Sequence, residues 1–438
     1  MMSRQFPLAF LILASATAGC TPASSSPAQA EIVGSTPTPA APRLSTAADA
    51  QQPTPVPIPT CPSPTATGCL LTTPEGGSRE FDWSHGNCTG SGPRRLVAAP
   101  MNPNDVGLIL PLGVMVGGHV TPIDHQYYQP TVFQSPPDTY EVYSALDGFI
   151  VTVGVEHELV NPPDKITVVI EGSCTFWVWY NLLTSLTPEL AEQALPGPGQ
   201  SSAVRIPVAA GQLLGYIGGR TLDFAVVNSE VTLTGFLVPE HYAGEAWKIH
   251  VVDPFGYFDE PLRSQLLALD VRAAEPRGGR IDYDIDGRLI GNWFVEGTNG
   301  YAGFFPDQPR PLDYSSGHLA IVPDAIDPTT YTISIGSLLP DQNNQFGILG
   351  NAPDPAQVSV ETGLVVYELV QINWVDGTGQ FWDRLHFAAG VHRSDGSQVR
   401  GTVLMQLLAD RRLQVEAFMG KRADQVTGFT NAALVYER

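Results

Sequence analysis

Between residues 96 and 272 the chain shows short β-branched and aromatic runs bounded by turn residues. Ala145–Gly154, Ile166–Glu171 and Phe176–Tyr180 are of this kind, and the pattern predicts strands. One short helix is expected over Thr187–Gln193, with Thr187 as N-cap, Pro188 at the first helical position and acids in the first turn. A second, over Pro261–Leu269, carries the chain out of this region. A turn-rich boundary follows at Ala273–Gly279. Beyond it, alternating runs predict strands at Ile281–Asp286, Leu289–Glu296, His318–Val322, Tyr331–Gly336, Leu364–Val370, Val399–Leu408, Leu413–Phe418 and Ala432–Glu437. Turn signals at Asp286-Gly287, Asp395-Gly396 and Ala409–Arg412 separate several of them. About eight antiparallel strands without helical periodicity predict a barrel or a sandwich over 279–438.

Upstream, residues 21–60 are Ser, Thr, Ala and Pro with almost no large apolar residue. That composition predicts a disordered, extended tether. Residues 61–95 stay rich in Gly and Pro but carry Phe81 and Trp83, and are expected to pack as a lead-in on the next domain. Residues 1–20 read as an export signal: Arg4 supplies the positive start and Leu8–Ala14 a run too short to span a bilayer. The ending Ala16-Thr17-Ala18-Gly19-Cys20 resembles a bacterial lipobox, with Thr17 where Leu is usual. That resemblance implies lipidation of Cys20 and a place on the outer face of the cytoplasmic membrane or in the cell envelope. An ordinary cleaved signal is the alternative.

With Gly 43 and Pro 39, the composition favours turns and short strands over long helices. The net charge of −21 excludes a nucleic-acid partner and electrostatic docking on anionic lipid, so membrane contact is expected only through the N-terminal anchor. Beyond Cys20 stand Cys61, Cys69, Cys88 and Cys174. In an exported chain they suggest two disulfides, with Cys61–Cys69 and Cys88–Cys174 favoured among three pairings. No close cysteine pair has structural-zinc spacing.

The segment Gly117–His125 holds His119, Asp124 and His125. It is followed in order by Val142–Val151, Trp179-Tyr180-Asn181-Leu182, Ile206–Gly218 and Thr221–Val226. This series resembles the LytM/lysostaphin-type zinc endopeptidases, over roughly residues 105–230. In that family a His and an Asp open the domain, a Tyr-His-Leu follows, and a Val-x-x-Gly-Gln-x-Ile-Gly turn leads to His-x-His. The resemblance implies a duplicated-hybrid-motif β fold and a zinc site. His119 and Asp124 stand for the opening pair with one extra residue between them. Asn181 stands where the Tyr-His-Leu histidine belongs, and Thr221 and Asp223 where His-x-His belongs. His119, Asp124 or His125, and Asp223 could still supply three zinc ligands. Asn181 and Thr221 cannot exchange protons near neutral pH, which leaves Glu156 or His157 as bases by sequence proximity.

Three readings follow. The first is a non-catalytic, peptidase-like envelope lipoprotein that binds cell-wall glycan or peptide, or an envelope protein, with Asn181 and Thr221 as binding residues. The second is a zinc-dependent hydrolase with a rearranged His/Asp/Asp site. The third is a small-molecule carrier using a cavity of the C-terminal barrel. A structural role for the cluster stands beside them, with Asp124 capping a turn and His125 packing on Tyr127 and Tyr128. Asp282, Asp284 and Asp286 alternate in a way expected to place them on the solvent face of a hairpin strand. Trp177, Trp179, Trp247, Trp293, Trp374 and Trp382 are read as core more readily than as a sugar platform.

Overall fold

In a computed structural model, residues 83, 84, 86–156, 164–303, 314–336 and 344–438 are described. The export signal, the tether, Cys20, Cys61, Cys69, Phe81 and His157 lie outside the described residues. The fold is mostly β, as the strand patterning predicts, with two successive β assemblies.

The first is a sandwich. Its strands are β1 (Val106–Leu110), β2 (Gln126–Pro130), β3 (Tyr140–Tyr143), β4 (Gly148–Glu156), β5 (Lys165–Ser173), β6 (Phe176–Leu183), β7 (Ser185–Leu186), β8 (Ser201–Val208), β9 (Leu213–Ile217), β10 (Leu222–Asn228) and β11 (Val251–Val252). The larger sheet runs β1-β2-β10-β6-β5-β4-β8, with β11 on β10, and the smaller runs β3-β9-β7. Alternation decides which side chains meet between them. Val153, Ile170, Val178 and Phe224 of the large sheet share one core with Val142, Leu214 and Ile217 of the small one. Gly215 is required by this pairing. A Cβ there would lie 2.1 Å from the Ser185 carbonyl oxygen, because β9 pairs with β7 at Leu186–Gly215. Helix α1 (Pro188–Ala194) follows β7, and the Thr187 side chain accepts from Leu190 N at 3.4 Å. Helix α2 occupies Leu262–Leu267.

A disulfide joins Cys88 to Cys174 and fixes the lead-in to the β5–β6 turn. Cys174 N also donates to the Gly90 carbonyl at 3.1 Å.

The second assembly is a closed antiparallel barrel. Its strands are β12 (Gly291–Val295), β13 (His318–Pro323), β14 (Tyr331–Ile335), β15 (Gln345–Ile348), β16 (Leu364–Val370), β19 (Val399–Leu407), β20 (Arg412–Met419) and β21 (Leu434–Glu437). A small hairpin, β17 (Trp374–Val375) with β18 (His392–Arg393), leaves the barrel between β16 and β19. Alternate residues point inward, and Trp293, Leu319, Ile333, Tyr367, Met405 and Tyr436 fill the interior, each at most 1% exposed. Such an interior is a packed core, as small barrels have. The carrier reading needs a cavity in this barrel, and these side chains fill its interior.

A further correction concerns Asp282 and Asp284. Residues 281–285 form no strand, and both aspartates are buried. Asp282 Oδ2 accepts from Gly235 N at 2.9 Å, and Asp284 Oδ1 from Asn292 N at 2.8 Å. Orphan backbone donors at the join between the assemblies are thereby satisfied, which outweighs the solvent preference of a carboxylate.

The outward face of β12 does not meet water. Phe294 packs with Tyr242, Ile249 and Tyr301, and with Val151, Trp177 and Val227 from the outer face of the large sheet. The 3-10 segment Pro239–His250, kinked at Glu245, is part of this layer. The face of the large sheet that carries Asn181 and Asp223 is therefore roofed by Pro239–His250 and the barrel wall.

Candidate functional site

Asp223 lies on β10 opposite Asn181 of β6 and Tyr127 of β2. On β10, Leu222, Phe224 and Val226 take the sandwich core, so alternation sends Asp223 to the roofed face. His125 immediately precedes β2. Its ring lies among aromatics, 4.9 Å from Tyr127 and 5.3 Å from Trp179 between centroids. Asp124, His125 and Asp223 all have less than a tenth of their surface exposed.

The three form a chain of charges. His125 Nδ1 lies 3.1 Å from Asp124 Oδ1. On the other side His125 Nε2 faces Asp223 Oδ2 at 3.4 Å, an ion-pair separation at which no hydrogen bond forms. The other oxygen of Asp124 accepts from Trp247 Nε1 at 3.0 Å and lies 3.3 Å from the Lys248 ammonium. Lys248 is 2% exposed, and it also lies 3.8 Å from Glu245 Oε2 and 4.6 Å from the centre of the Tyr301 ring. Thr221 Oγ1 donates to Asp223 Oδ1 at 3.2 Å, and Thr167 Oγ1 to Asn181 Oδ1 at 2.7 Å.

Burial and charge set the protonation states. Burial is the largest influence on Asp124 and pushes it up, but Lys248, the His125 bond and the Trp247 bond together hold its carboxyl well below the usual range. Burial likewise pushes His125 down, and the fields of Asp223 and Asp124 outweigh it, so its pKa is raised. Asp223 is pushed up to about 6 by burial, with His125 and the Thr221 hydrogen bond opposing. Glu245 is raised by burial against Lys248. His119 stands apart from the chain, with its ring 6.3 Å from that of His125. Its pKa is lowered to about 4, first by burial and then by His125 and Lys248, which leaves it neutral near pH 7.

Of the four sequence-predicted metal ligands, the fold thus brings Asp124, His125 and Asp223 together and leaves His119 at the edge. Asn181 and Thr221 are carried to the same place, as partners of Asp223. A catalytic zinc ion needs three converging donors and an open position. The donor set here does not fit one. His125 Nδ1 is taken by Asp124, the second oxygen of Asp124 by an ammonium and an indole N–H, and Asp223 Oδ1 by Thr221, so of these three residues only His125 Nε2 and Asp223 Oδ2 remain to face an ion. Among the described residues no group of three or more His, Cys, Asp or Glu is arranged to hold a metal. Glu156, a sequence candidate for the base, ends β4 as an exposed residue and pairs with Lys165 at 3.6 Å.

Lys248 and Glu245 were not singled out from the sequence, and Trp247 was read there as core rather than as a partner of Asp124. The available signal was Lys248 itself, one of three lysines (165, 248 and 421), set between Trp247 and Ile249 ahead of Val251-Val252. A charge inside an apolar run marks a buried partner.

No family model matches the chain, and no curated protein matches it. Among solved structures the chain is similar to Helicobacter pylori Csd3, at 16% identity and a TM-score of 0.22, over 38% of this chain and 35% of that one. It is also similar to lysostaphin, at 12% identity and a TM-score of 0.21, over 78% of this chain and 90% of that one. The chain thus matches about a third of the length of Csd3. Both are distant structural likenesses, and at those scores neither carries an argument about this site.

Proposed function

We propose that this protein is an exported cell-envelope lipoprotein whose peptidase-like half binds a cell-wall component or an envelope partner and does not cut. One observation carries the non-catalytic part: the Lys248 ammonium, buried against Asp124 and Glu245, already serves as counter-ion to the Asp124 carboxylate. Two further features agree with it. The nearby Asn181 and Thr221 cannot act as acid or base near neutral pH. The segment Pro239–His250 packs on the same face. Export rests on the Arg4 and Leu8–Ala14 signal pattern, and lipidation of Cys20 on the lipobox-like sequence alone.

The test is elemental analysis of the purified chain, followed by incubation with isolated sacculi. Sub-stoichiometric zinc and no released peptide are expected. Stoichiometric zinc that is lost in Asp223→Ala, together with peptide release, would overturn the reading in favour of the hydrolase.

A further inference from the structure

A cleft of about 490 Å³ lies where the two assemblies meet. On one side are β1 and the loop Gly113–Gly118, and on the other the outer faces of β14 and β15 and the segment Ile372–Arg384. The volume is that of a small-ligand site. It lies beside the charge chain but is separate from it: Gln345 on the cleft wall donates to the His119 carbonyl at 3.2 Å.

Two polar groups of this cleft are open to a ligand, one buried and unsatisfied and one exposed and cationic. Asn344 is 7% exposed, and its side-chain oxygen has no hydrogen-bond donor. A buried acceptor without a partner costs about 1–3 kcal/mol, so a donor belongs there. Arg384 is the second. Its guanidinium lies 5.6 Å from the centre of the Trp374 ring and has no carboxylate partner among the described residues. Asp324, whose field it feels, is already bound by Arg393 at 3.2 Å. The backbone keeps Arg384 in place with φ at 64°, in the left-handed region, and Gln129 Nε2 donates to the carbonyls of Arg384 and Leu385 at 3.3 and 2.8 Å. The same cleft is lined by apolar Val114, Met115 and Trp374 and by polar Ser315, Asp324 and Thr332.

We propose that this cleft binds the C-terminal residue of a peptide. Its α-carboxylate pairs with Arg384 in the planar two-point manner that guanidinium allows. Its amide N–H donates to Asn344 Oδ1, and its side chain packs on Met115 and Trp374. A neutral glycan would satisfy Asn344 but leave the cation unused, and a simple anion would leave the apolar wall unused. The inference rests on the binding reading above and gives it a place and a ligand class.

The experiment titrates the purified full chain with N-acetyl dipeptides ending in Ala, Leu or Phe, each as free acid and as C-terminal amide. At least one free acid is expected to bind saturably at 1:1, with its amide at least tenfold weaker. Arg384→Gln, a change at an exposed side chain, should lower the acid to the level of the amide and leave the amide unchanged. Asn344→Ala should weaken acid and amide by the same factor, and the melting midpoint of each variant reports whether it is folded. Absence of saturable binding by every dipeptide up to 10 mM, or equal binding of acid and amide, overturns the proposal. Binding of N-acetylglucosamine oligomers that is unaffected by Arg384→Gln also overturns it and assigns the cleft to glycan. Stoichiometric zinc in a chain that still binds the acids removes the non-catalytic reading and leaves the cleft. No zinc and no dipeptide binding does the reverse.

Discussion

Replacing Lys248 by Met tests whether its ammonium is the structural counter-ion of the buried cluster. The methionine fills most of the space but leaves Asp124 facing His125 and the Trp247 N–H without its cation. Breaking a buried pair from one side costs about 3–5 kcal/mol, because the remaining charge is uncompensated. In a molecule of this size that lowers the melting midpoint by roughly 5–10 °C. The pH dependence is a second signature. In the wild type Asp124 has a depressed pKa, so it contributes stability above the unfolded value near 3.8, and that stability is lost only as pH falls through the folded value. Without Lys248 burial dominates and the Asp124 pKa rises. The deficit of Lys248→Met is then largest at pH 7–8 and shrinks towards pH 4, where the carboxyl takes up a proton. The double variant Lys248→Met/Asp124→Asn should lose less than the sum of the singles, by about 1–3 kcal/mol. Thermal and urea unfolding of the four proteins across this pH range measures all of it. A Lys248→Met midpoint within about 1 °C of wild type at pH 7.5, or singles that simply add, would refute the counter-ion argument.

Asp223→Asn should gain stability relative to wild type as pH rises from 4 to 6.5. The folded pKa of Asp223 is raised to about 6, so its neutral form favours folding at low pH and that advantage is lost as pH rises through this window. A pH-independent difference in urea midpoint would contradict it. Cys88→Ser/Cys174→Ser opens a loop with a sequence separation of 86 and should cost about 4.5 kcal/mol on chain entropy, read as a lower melting midpoint that reductant no longer changes. Gly215→Ala should destabilise by about 3 kcal/mol or more, since strand backbone cannot move away as a flexible side chain can. Retention of the wild-type urea midpoint would show that β7 yields at Ser185.

The strands were legible in the sequence because one face of each is buried, and period-two alternation records that directly: Leu319 and Ile321 point into the barrel, and Leu222 and Phe224 into the sandwich. Asp282 and Asp284 alternate just as well and were misread. The pattern gives a side chain its face but not what covers that face, and here the cover is the backbone of Gly235 and Leu237, from a segment distant in sequence. The same limit applies at the candidate site. The resemblance brought out Asp124, His125, Asn181, Thr221 and Asp223, and the pairing of β10 with β6 and β2 brings Asp223 beside Asn181 and close to the residues before β2. It could not weigh them, since the meaning of a carboxylate depends on its counter-ion. That counter-ion, Lys248, comes from the roof, on a kinked 3-10 segment without alternation to read. With the ammonium in place, the two aspartates and the histidine between them have charge partners without a metal. In its absence the same three residues would be left with excess negative charge in a buried site, the condition that attracts a divalent ion. Lys248→Met therefore also separates the two fates of the cluster. Zinc should raise the melting midpoint of the variant and leave the wild type unchanged. Equal stabilisation of both proteins would mean that the ammonium and the ion do not compete for the Asp124 charge.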